Sequence, residues 1–366
     1  MISFTPTEEQ QMLIDAVRRY ATHNVRPVAH EADEGGGFPA EVLQTGWELG
    51  ILPGNIPEEL GGFGEDHSAL TGALAYEELA YGDLSLALHV MTPALVAIPL
   101  VLSGTEAQRE EFMELFLDEA PPPVTAAMIE PRIRFNPARP QTTATPQGDG
   151  WVLNGRKAYV LLAEGAQWIL VYAWNTRDER VNAFLVRGDV EGVTVGAREK
   201  LMGVQALPTY PVTLENVHVP AAYRLGGEQG IDFPRIQAHS RVALGALAVG
   251  VMRGAVEYAV EYAKQRVQFG KPIGTKQAIA FMLAECAIEV DATRLMVWEA
   301  AWKLDQGQDA TKESYLAKRY ADQMAVWVTD SAVQTLGGYG YIREYPVERW
   351  LRNARGFATF YGMAIV

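Results

Sequence analysis

The 366-residue sequence is poor in cysteine and in positive charge, and both shortages limit the functions it can have. A single cysteine, Cys286, excludes a disulfide framework and a cysteine-rich metal site, and its apolar helical surroundings predict a core position. Lysine and arginine number 31 against 45 aspartates and glutamates, which gives a formal net charge of -14. Nucleic acid and anionic membranes bind basic surfaces, so neither is an expected partner. A reducing compartment, the cytoplasm, is the expected location.

The motifs of several common enzyme classes are also absent. The sequence has no G-x-G-x-x-G after a predicted strand, no Walker loop, no G-x-S-x-G elbow and no H-E-x-x-H pair. Rossmann, P-loop, serine hydrolase and zinc-protease chemistry are therefore unsupported. The chain opens with a capped helix instead of a signal peptide, and its most apolar long stretch, Val242 to Val260, contains Arg253 and Glu257. We therefore expect no membrane span.

The apolar pattern is helical in the first third of the chain. A capping box with proline at the first helical position, over Thr5-Pro6-Thr7-Glu8, predicts the first helix. Helical spacing predicts further helices over roughly 39–50, 67–81, 84–103 and 105–118, the last opened by a second capping box at Thr105. At Pro121-Pro122-Pro123 the period shifts from about 3.6 to 2, which predicts a domain boundary.

Short strands are predicted from there to about residue 230. Apolar residues alternate on both sides of Asn154-Gly155, so we predict a hairpin with a type I′ turn at this pair. Alternating runs over Gln167 to Trp174 and Val181 to Val186 indicate a small antiparallel barrel or sandwich. From Ile231 onward the spacing is helical again, over 236–267, 274–306, 311–337 and 346–356, as in a four-helix bundle.

The predicted fold class is therefore α+β, in three domains. They are an N-terminal helical domain at 1–121, a middle β domain at 122–230 and a C-terminal helical bundle at 231–366. The length supports more than one core, because chains above ~250–300 residues usually split into domains.

Ordered motifs in all three regions resemble the acyl-CoA dehydrogenase family. Its N-terminal domain is similar to Gly50 to Gly64 followed by Glu77-Glu78-Leu79-Ala80, and its first β hairpin to Gly148 to Lys157. Its R-x-x-F-G and Q-x-x-G-G-x-G-[YF] motifs resemble Arg266 to Gly270 and Gln334 to Tyr341. The resemblance covers essentially the whole chain. It implies a helical domain, an antiparallel β-barrel and a four-helix bundle. It also implies a flavoprotein of fatty acid or lipid metabolism, in which FAD oxidises an acyl-CoA to the enoyl-CoA and an electron-transfer flavoprotein accepts the electrons.

The residue that carries the family's chemistry is missing. The family's base is a glutamate that removes the α proton, nine residues after the arginine of an R-D-A segment. Here Arg352-Asn353-Ala354 leads to Tyr361, whose phenol, with a pKa of ~10, is a poor base at neutral pH. Some members carry the glutamate just before an arginine that matches Arg241, and that position is Ser240. No catalytic residue is therefore predicted.

The residues that would contact this chain's own flavin also depart from the family. The family's T-E-P-x-A-G-S-D segment corresponds to Ile129 through Asn136, so its threonine and serine become Ile129 and Phe135. The hydroxyl of its W-I-T motif becomes Leu161. Three hydrogen-bond donors are thus replaced by apolar side chains. Each flavin group left without a partner would weaken flavin binding by ~1–3 kcal/mol.

A second set of cofactor residues is retained. In the family these residues reach across a dimer interface to the neighbour's FAD, and here they are Arg266, Phe269, Gln277, Gln334, Gly337 and Gly338. Two structural alternatives stay open: Gly337-Gly338 could be a plain helix cap, and Arg266 a member of a surface ion pair.

This asymmetry resembles heteromeric α₂β₂ acyl-CoA dehydrogenases, in which two different subunits share one FAD site. The sequence therefore predicts a base-lacking subunit that shares FAD with a second family member. One alternative is a self-sufficient flavoenzyme with altered regiochemistry or a carrier-bound substrate, using Tyr361 or His239 for proton transfer. Another is a non-catalytic scaffold or acyl-CoA-binding protein.

Overall fold

The computed structural model describes residues 5–366, which form helices, then a β region, then helices again. This order agrees with the predicted α+β class. The helices are α1 (Glu8–Tyr20), α2 (Ala29–Gly35), α3 (Ala40–Glu48), α4 (Ala69–Gly82), α5 (Leu84–Val90), α6 (Ala94–Ser103), α7 (Glu106–Phe112), α8 (Phe233–Gln265), α9 (Gln277–Asp305), α10 (Thr311–Leu336), α11 (Gly338–Tyr341) and α12 (Val347–Gly356). The strands are β1 (Val124–Ala127), β2 (Thr143–Gln147), β3 (Gly150–Leu161), β4 (Trp168–Asn175), β5 (Arg180–Arg187), β6 (Val193–Val195), β7 (Thr209–Pro220), β8 (Val267–Gln268) and β9 (Lys271–Pro272).

The first helix begins later than its predicted cap. Thr7 is the N-cap of α1, and its hydroxyl accepts from the backbone N–H of Gln10 while the Gln10 side chain accepts from the Thr7 N–H. The capping box thus starts at Thr7 and not at Thr5. The predicted box at Thr105 is confirmed, with Gln108 as its partner.

The predicted helix over 84–103 is two helices that bend by 51°. The bend lies at Met91-Thr92-Pro93, between α5 and α6. Proline at 93 has no N–H to continue α5, and its ring crowds the preceding turn. The short α5 stays anchored because the Asp83 carboxylate accepts from the Ser85 N–H at 2.7 Å.

The hairpin predicted at Asn154-Gly155 is wrong. β3 runs through this pair as one strand, and the turn lies earlier, at Gly148-Asp149, where Gly148 has φ 61°. The register shift against β7 places two β7 residues, Glu215 and Asn216, opposite Asn154, whose side-chain oxygen accepts from the Asn216 N–H at 2.8 Å. A Cβ on Gly155 would clash with Thr142. The glycine therefore serves a close approach within the sheet and not a turn.

The β region is one curled seven-stranded sheet in the order β1-β4-β2-β3-β7-β6, with β5 paired to β4. Its hairpin pairings are antiparallel, but β4 runs parallel to both β1 and β2. The strand pattern did not predict the parallel pairs, because they join strands that are distant in sequence. Inward residues such as Trp151, Phe184 and Val212 form the core of the sheet.

Four long helices, α8, α9, α10 and α12, follow the predicted segments within a few residues. Cys286 of α9 is buried, as predicted. By length and composition α8 is long and apolar enough to cross a membrane, in contrast to the prediction, and 83% of its most apolar window is buried inside the protein. Its apolar surface packs against α4, α9 and α10.

A buried ion-pair network joins the N-terminal helices to the bundle. Glu77 and Glu78 of α4 are at most 5% exposed, and Arg253 of α8 donates to both, at 2.8 Å to Glu77 and 2.7 and 2.6 Å to Glu78. Arg18 of α1 binds Glu78 and Arg294 of α9 binds Glu77. Burial alone would raise the pKa of Glu78, but the hydrogen bonds and charges of Arg253 and Arg18 outweigh it and lower the pKa.

We predict that Arg253→Ala lowers the free energy of unfolding by about 3–5 kcal/mol, because two buried carboxylates lose their shared partner. The loss should be full at neutral pH and shrink as the pH falls below about 4, where carboxylates protonate. Denaturant titration measures it. The control is Lys264→Ala, which removes an exposed pair with Glu261 and should change stability by less than about 1 kcal/mol. Equal effects of the two variants would contradict the network's role.

Candidate functional site

The two positions at which the family carries its base meet in one small cavity. Tyr361 and Ser240 both line a cavity of about 60 Å³, together with Met128, Arg241 and Lys318. Tyr361 follows α12 and is 39% exposed, and its ring packs edge-on against Phe135 at 5.8 Å between centroids. The sequence prediction thus placed both residues at the same site, and neither of them is a carboxylate.

The cavity does contain one carboxylate, but it is already paired. Asp322 Oδ1 accepts from Lys318 Nζ at 2.5 Å, and Lys318 also donates to the Phe357 carbonyl at 2.7 Å. Burial lowers the pKa of Lys318 and raises that of Asp322, while the attraction between the two charges opposes both shifts. The pair therefore fixes the backbone that leads to Tyr361, and no unpaired carboxylate stands among the described residues that line the cavity.

His239 does not reach this cavity. Its Nδ1 lies 2.6 Å from the Val366 carbonyl oxygen, and its ring stacks at 5.3 Å from His67 on another side of α8. Burial is the main cause that lowers the pKa of His239, to about 3. Among the residues proposed for proton transfer, only Tyr361 lines the cavity.

The segment that corresponds to the family's flavin contacts is held by protein groups. Ile129 and Leu161 are at most 5% exposed. Glu130 accepts from the Gln141 N–H at 2.8 Å and from the Thr142 N–H at 2.7 Å, and its carboxylate lies 3.3 Å from Lys157 Nζ. Burial lowers the pKa of Lys157 to about 8, against the attraction of Glu130. Glu130 therefore stabilises the turn, which explains why it persists without its neighbouring hydroxyls.

This face does not fit a flavin as the family holds it. The backbone N–H of Tyr159 donates to Glu199 at 3.0 Å, and that of Ala158 to the Ile129 carbonyl at 2.9 Å. The adjoining cavity, between Tyr159 and Phe360, has about 210 Å³. The two amides are therefore already paired, and the polar groups that line this cavity are side chains of the C-terminal segment, among them Arg355 and Thr359, in place of the family's hydroxyls.

The retained cofactor residues, in contrast, converge. Arg266, Phe269, Gln334, Gly337 and Gly338 line a single groove of about 760 Å³, formed where α8, α9 and α10 end or begin. Gln277, the sixth predicted residue, is not among the lining residues. It is the first residue of α9 and follows Lys276, which does line the groove. We call this surface the outer groove. Two segments that are far apart in sequence thus meet, as expected if they bind one ligand.

The outer groove fits a dinucleotide. Arg266 forms no ion pair within residues 5–366, and its guanidinium lies 5.2 Å from the Tyr339 ring centroid, so it is available for a phosphate. Phe269 is 92% exposed, so its ring is accessible for stacking against an adenine. Gly337 caps α10 with φ 59° and ψ -130°, a conformation that favours glycine, and a Cβ there would meet nothing within 4 Å. Gly337 therefore both ends α10 and leaves open space in the groove.

Further residues of the outer groove were not predicted. Tyr262, Ile273, Lys276 and Ile279 line it beside the motif residues. Their only signal in the sequence is proximity to the R-x-x-F-G segment, since nothing in their type marks them as ligand contacts. Lys318 was not predicted as a charged group of the Tyr361 cavity, whereas Arg241 was named as the arginine that follows Ser240.

Models of three protein domains match the chain in the order of its structure. "Acyl-CoA dehydrogenase, N-terminal domain" matches residues 7–119, the middle domain 125–217 and the C-terminal domain 235–364. The chain belongs to the acyl-CoA dehydrogenase family. The resemblance drawn from the motifs is therefore confirmed, as is the three-part fold.

Individual members of the acyl-CoA dehydrogenase family match over nearly their whole length. The chain is 36% identical over 359 residues to the probable acyl-CoA dehydrogenase FadE25 of Mycobacterium tuberculosis, which covers 96% of this chain and 91% of that protein. It is 34% identical over 368 residues to the caffeyl-CoA reductase-Etf complex subunit CarC of Acetobacterium woodii, covering 98% and 96%. Butyryl-CoA dehydrogenase from Megasphaera elsdenii superposes with a TM-score of 0.89 at 32% identity, covering 100% and 96%. Family members bind FAD.

We predict that Lys318→Met loosens the segment before Tyr361, because Asp322 and the Phe357 carbonyl lose their common donor. The Phe360 amide, which donates to the carbonyls of Gly356 and Phe357, should exchange with solvent about tenfold faster or more, as the loss of ~1.4 kcal/mol implies. Hydrogen exchange measures this. Lys312→Met, at an exposed position of the same helix, is the control. Unchanged exchange at Phe360 would show that the pair does not hold the segment.

Proposed function

We propose that this chain is the base-lacking subunit of a heteromeric acyl-CoA dehydrogenase that shares FAD with a second, sequence-distinct family member. The partner supplies the glutamate and the flavin-ring contacts, and this chain supplies the outer groove. The observation that carries the proposal is the asymmetry between the two sites. The outer groove gathers Arg266, Phe269, Gln334 and the two glycines, while the face around Tyr361 has no free base among the described residues.

An exposed apolar surface beside the outer groove supports a partner. Phe281, Ile288 and Leu295 recur every seven residues on α9 and are 59, 64 and 44% exposed. A seven-residue apolar spacing on one helix face is typical of packing against another helix. Phe269, which lines the groove and is 92% exposed, adds an apolar side chain there. A partner that covers α9 would therefore also close the groove over a shared FAD.

The reaction that follows from this arrangement is oxidation of an acyl-CoA thioester to the enoyl-CoA in the cytoplasm. When bound, FAD supplies the hydride acceptor, and Arg266 of this chain would hold its pyrophosphate. An electron-transfer flavoprotein would accept the electrons. The relative CarC is itself named as a subunit of an Etf complex, which supports that acceptor.

A second candidate is a self-sufficient flavoenzyme with altered regiochemistry or a carrier-bound substrate. One observation favours it: Tyr361 lines the cavity at the position of the family's glutamate, and in this candidate its hydroxyl would transfer the proton. A third candidate, a non-catalytic scaffold or acyl-CoA-binding protein, would neither bind FAD nor support turnover in any pairing.

We predict that Arg266→Asp lowers the FAD content of the assembled complex, because it replaces a phosphate contact with a like charge. The affinity for FAD should fall at least about tenfold, as expected for a lost charge-assisted hydrogen bond of ~1.5–3 kcal/mol. The complex is captured through a tag on this chain from the organism that encodes it, and its flavin absorbance is measured per protein. Lys264→Asp, an exposed position two residues earlier on the chain, is the matched control. Full flavin content in the Arg266→Asp complex would count against the shared site.

We further predict that the chain expressed alone is colourless, because its own face lacks the donors for a flavin ring. Butyryl-CoA dehydrogenase prepared in parallel serves as the flavin-bearing control. Visible absorbance and release of FAD on denaturation measure the content. A yellow preparation that dehydrogenates a thioester unaided would support the self-sufficient enzyme, and a colourless complex with every partner would support the scaffold.

A further inference from the structure

The Tyr361 cavity gathers hydrogen-bond donors along one face of α8. Gln237, Ser240 and Arg241 follow each other at the spacing of one helical turn, and all three line the cavity. Their side chains form no hydrogen bond and no ion pair within residues 5–366. Their polar atoms are accessible, unlike the buried unpaired nitrogens elsewhere in the chain. A ligand that enters the cavity would therefore meet donors that the protein has not used.

The charges that line the cavity have a positive surplus. Arg241, Lys318 and Arg319 stand against one carboxylate, that of Asp322, which is paired with Lys318. Two positive charges are therefore left over, in a chain whose formal net charge is -14. Burial lowers the pKa of Arg241, and only phenols, with no carboxylate among the described residues, oppose this shift. The charges of Arg241 and Arg319 also lower the pKa of Lys318. A bound anion would offset this repulsion.

The volume of the cavity and its apolar lining restrict the kind of anion. A cavity needs about 10–15 Å³ for each water it holds, so about 60 Å³ accommodates a group of about four to six non-hydrogen atoms. Met128, Leu244 and Phe360 line the same cavity with apolar side chains. A short aliphatic carboxylate matches both features, because its oxygens only accept hydrogen bonds and its hydrocarbon end can contact apolar groups. A nucleotide or a coenzyme A molecule is too large.

Burial favours an anion with one negative charge over an anion with two. The cost of removing an ion from water rises with the square of its charge, whereas its attraction to fixed cations rises only in proportion to the charge. A carboxylate is also planar and matches the fork of the Arg241 guanidinium, which can donate two parallel hydrogen bonds to it. Sulfate, a dianion of similar size, lacks the hydrocarbon end that Met128 and Leu244 would contact. The carboxylate is therefore the better fit.

We propose that the Tyr361 cavity binds a short aliphatic carboxylate. The Arg241 guanidinium donates to its oxygens, and Met128 and Leu244 contact its hydrocarbon end. The cavity shares no lining residue with the outer groove, so this ligand is distinct from the shared FAD and the proposal does not depend on it. Because residues of α8, of α10 and of the segment after α12 all line the cavity, the carboxylate joins three parts of the C-terminal region.

The test measures the binding of propionate to the full chain by ligand-observed NMR, with propionamide and sulfate as comparisons. Propionamide has the shape of propionate without its charge. It should bind at least about tenfold more weakly, because it cannot form charge-assisted hydrogen bonds with Arg241. Sulfate should also bind more weakly than propionate, because its second charge adds to the cost of burial.

Two matched pairs of variants test the residues. Arg241→Met removes the guanidinium and should weaken propionate binding at least about tenfold. Its control is Arg235→Met, which removes an equal charge at an exposed position of the same helix, outside the cavity, and should leave binding nearly unchanged. Tyr361→Glu brings a carboxylate of the chain itself to the cavity, where it can pair with Arg241, and should abolish propionate binding. Tyr361→Gln, of the same size without the charge, should retain it.

The proposal is overturned if propionate does not bind the unmodified chain, or if propionamide or sulfate binds as tightly. It is also overturned if Arg241→Met and Tyr361→Glu bind propionate as the unmodified chain does, or if Arg235→Met loses as much affinity as Arg241→Met. Circular dichroism and thermal melting establish that each variant is folded. If Arg241→Met does not fold, the comparison with propionamide and the two variants of Tyr361 still decide. Arg266→Asp should bind propionate normally, so failure of the shared-FAD proposal leaves this result unaffected.

Discussion

Arg253 joins the helices that carry the Tyr361 cavity and the outer groove. Arg253 lies between Glu77 and Glu78 and thereby fixes α8 against α4, while Arg18 and Arg294 attach α1 and α9 to the same two carboxylates. The ion pairs act over a few ångströms, but the helix position that they fix affects residues far along α8. Because α8 is one helix of 33 residues, fixing its middle also fixes its two ends. One end carries Ser240 and Arg241 to Tyr361, and the other ends at Arg266 in the outer groove.

The sequence predicted the elements whose apolar spacing is long and regular, and failed where a local signal had more than one meaning. Helices α8, α9 and α10, with 33, 29 and 26 residues, extend over enough turns for the 3.6-residue period to be decisive. Asn154-Gly155 is typical of a hairpin turn, yet here the pair lies inside β3 opposite a bulge of β7, and Thr142 packs closely against Gly155. The bend at Pro93 could have been predicted from its missing N–H. The domain limits at residues 121 and 230 stay predictions.

Some residues of the candidate site could be predicted from the sequence and others could not. Arg266, Phe269, Gln334, Gly337 and Gly338 were predicted from two motifs, and the fold brings them into one groove. Their roles toward FAD stay predictions. The contact of Lys318 with the Phe357 carbonyl could not be predicted, because it depends on which segment lies against α10, whereas its pairing with Asp322, four residues on in the same helix, follows a spacing that the sequence does show. Spacing within one helix carries no information about a neighbour that arrives from another part of the chain.

Lys318 holds the main chain before Tyr361 through the Phe357 carbonyl, and its ammonium also lies 5.9 Å from the centroid of the Tyr361 ring. Because this hydrogen bond is made to a main-chain carbonyl, it does not depend on the side chain at position 361. A glutamate there could be replaced by a tyrosine while the backbone keeps its conformation. After a gene duplication, such a copy would lose turnover without losing its fold. Selection could then keep it for what it offers to its sister protein.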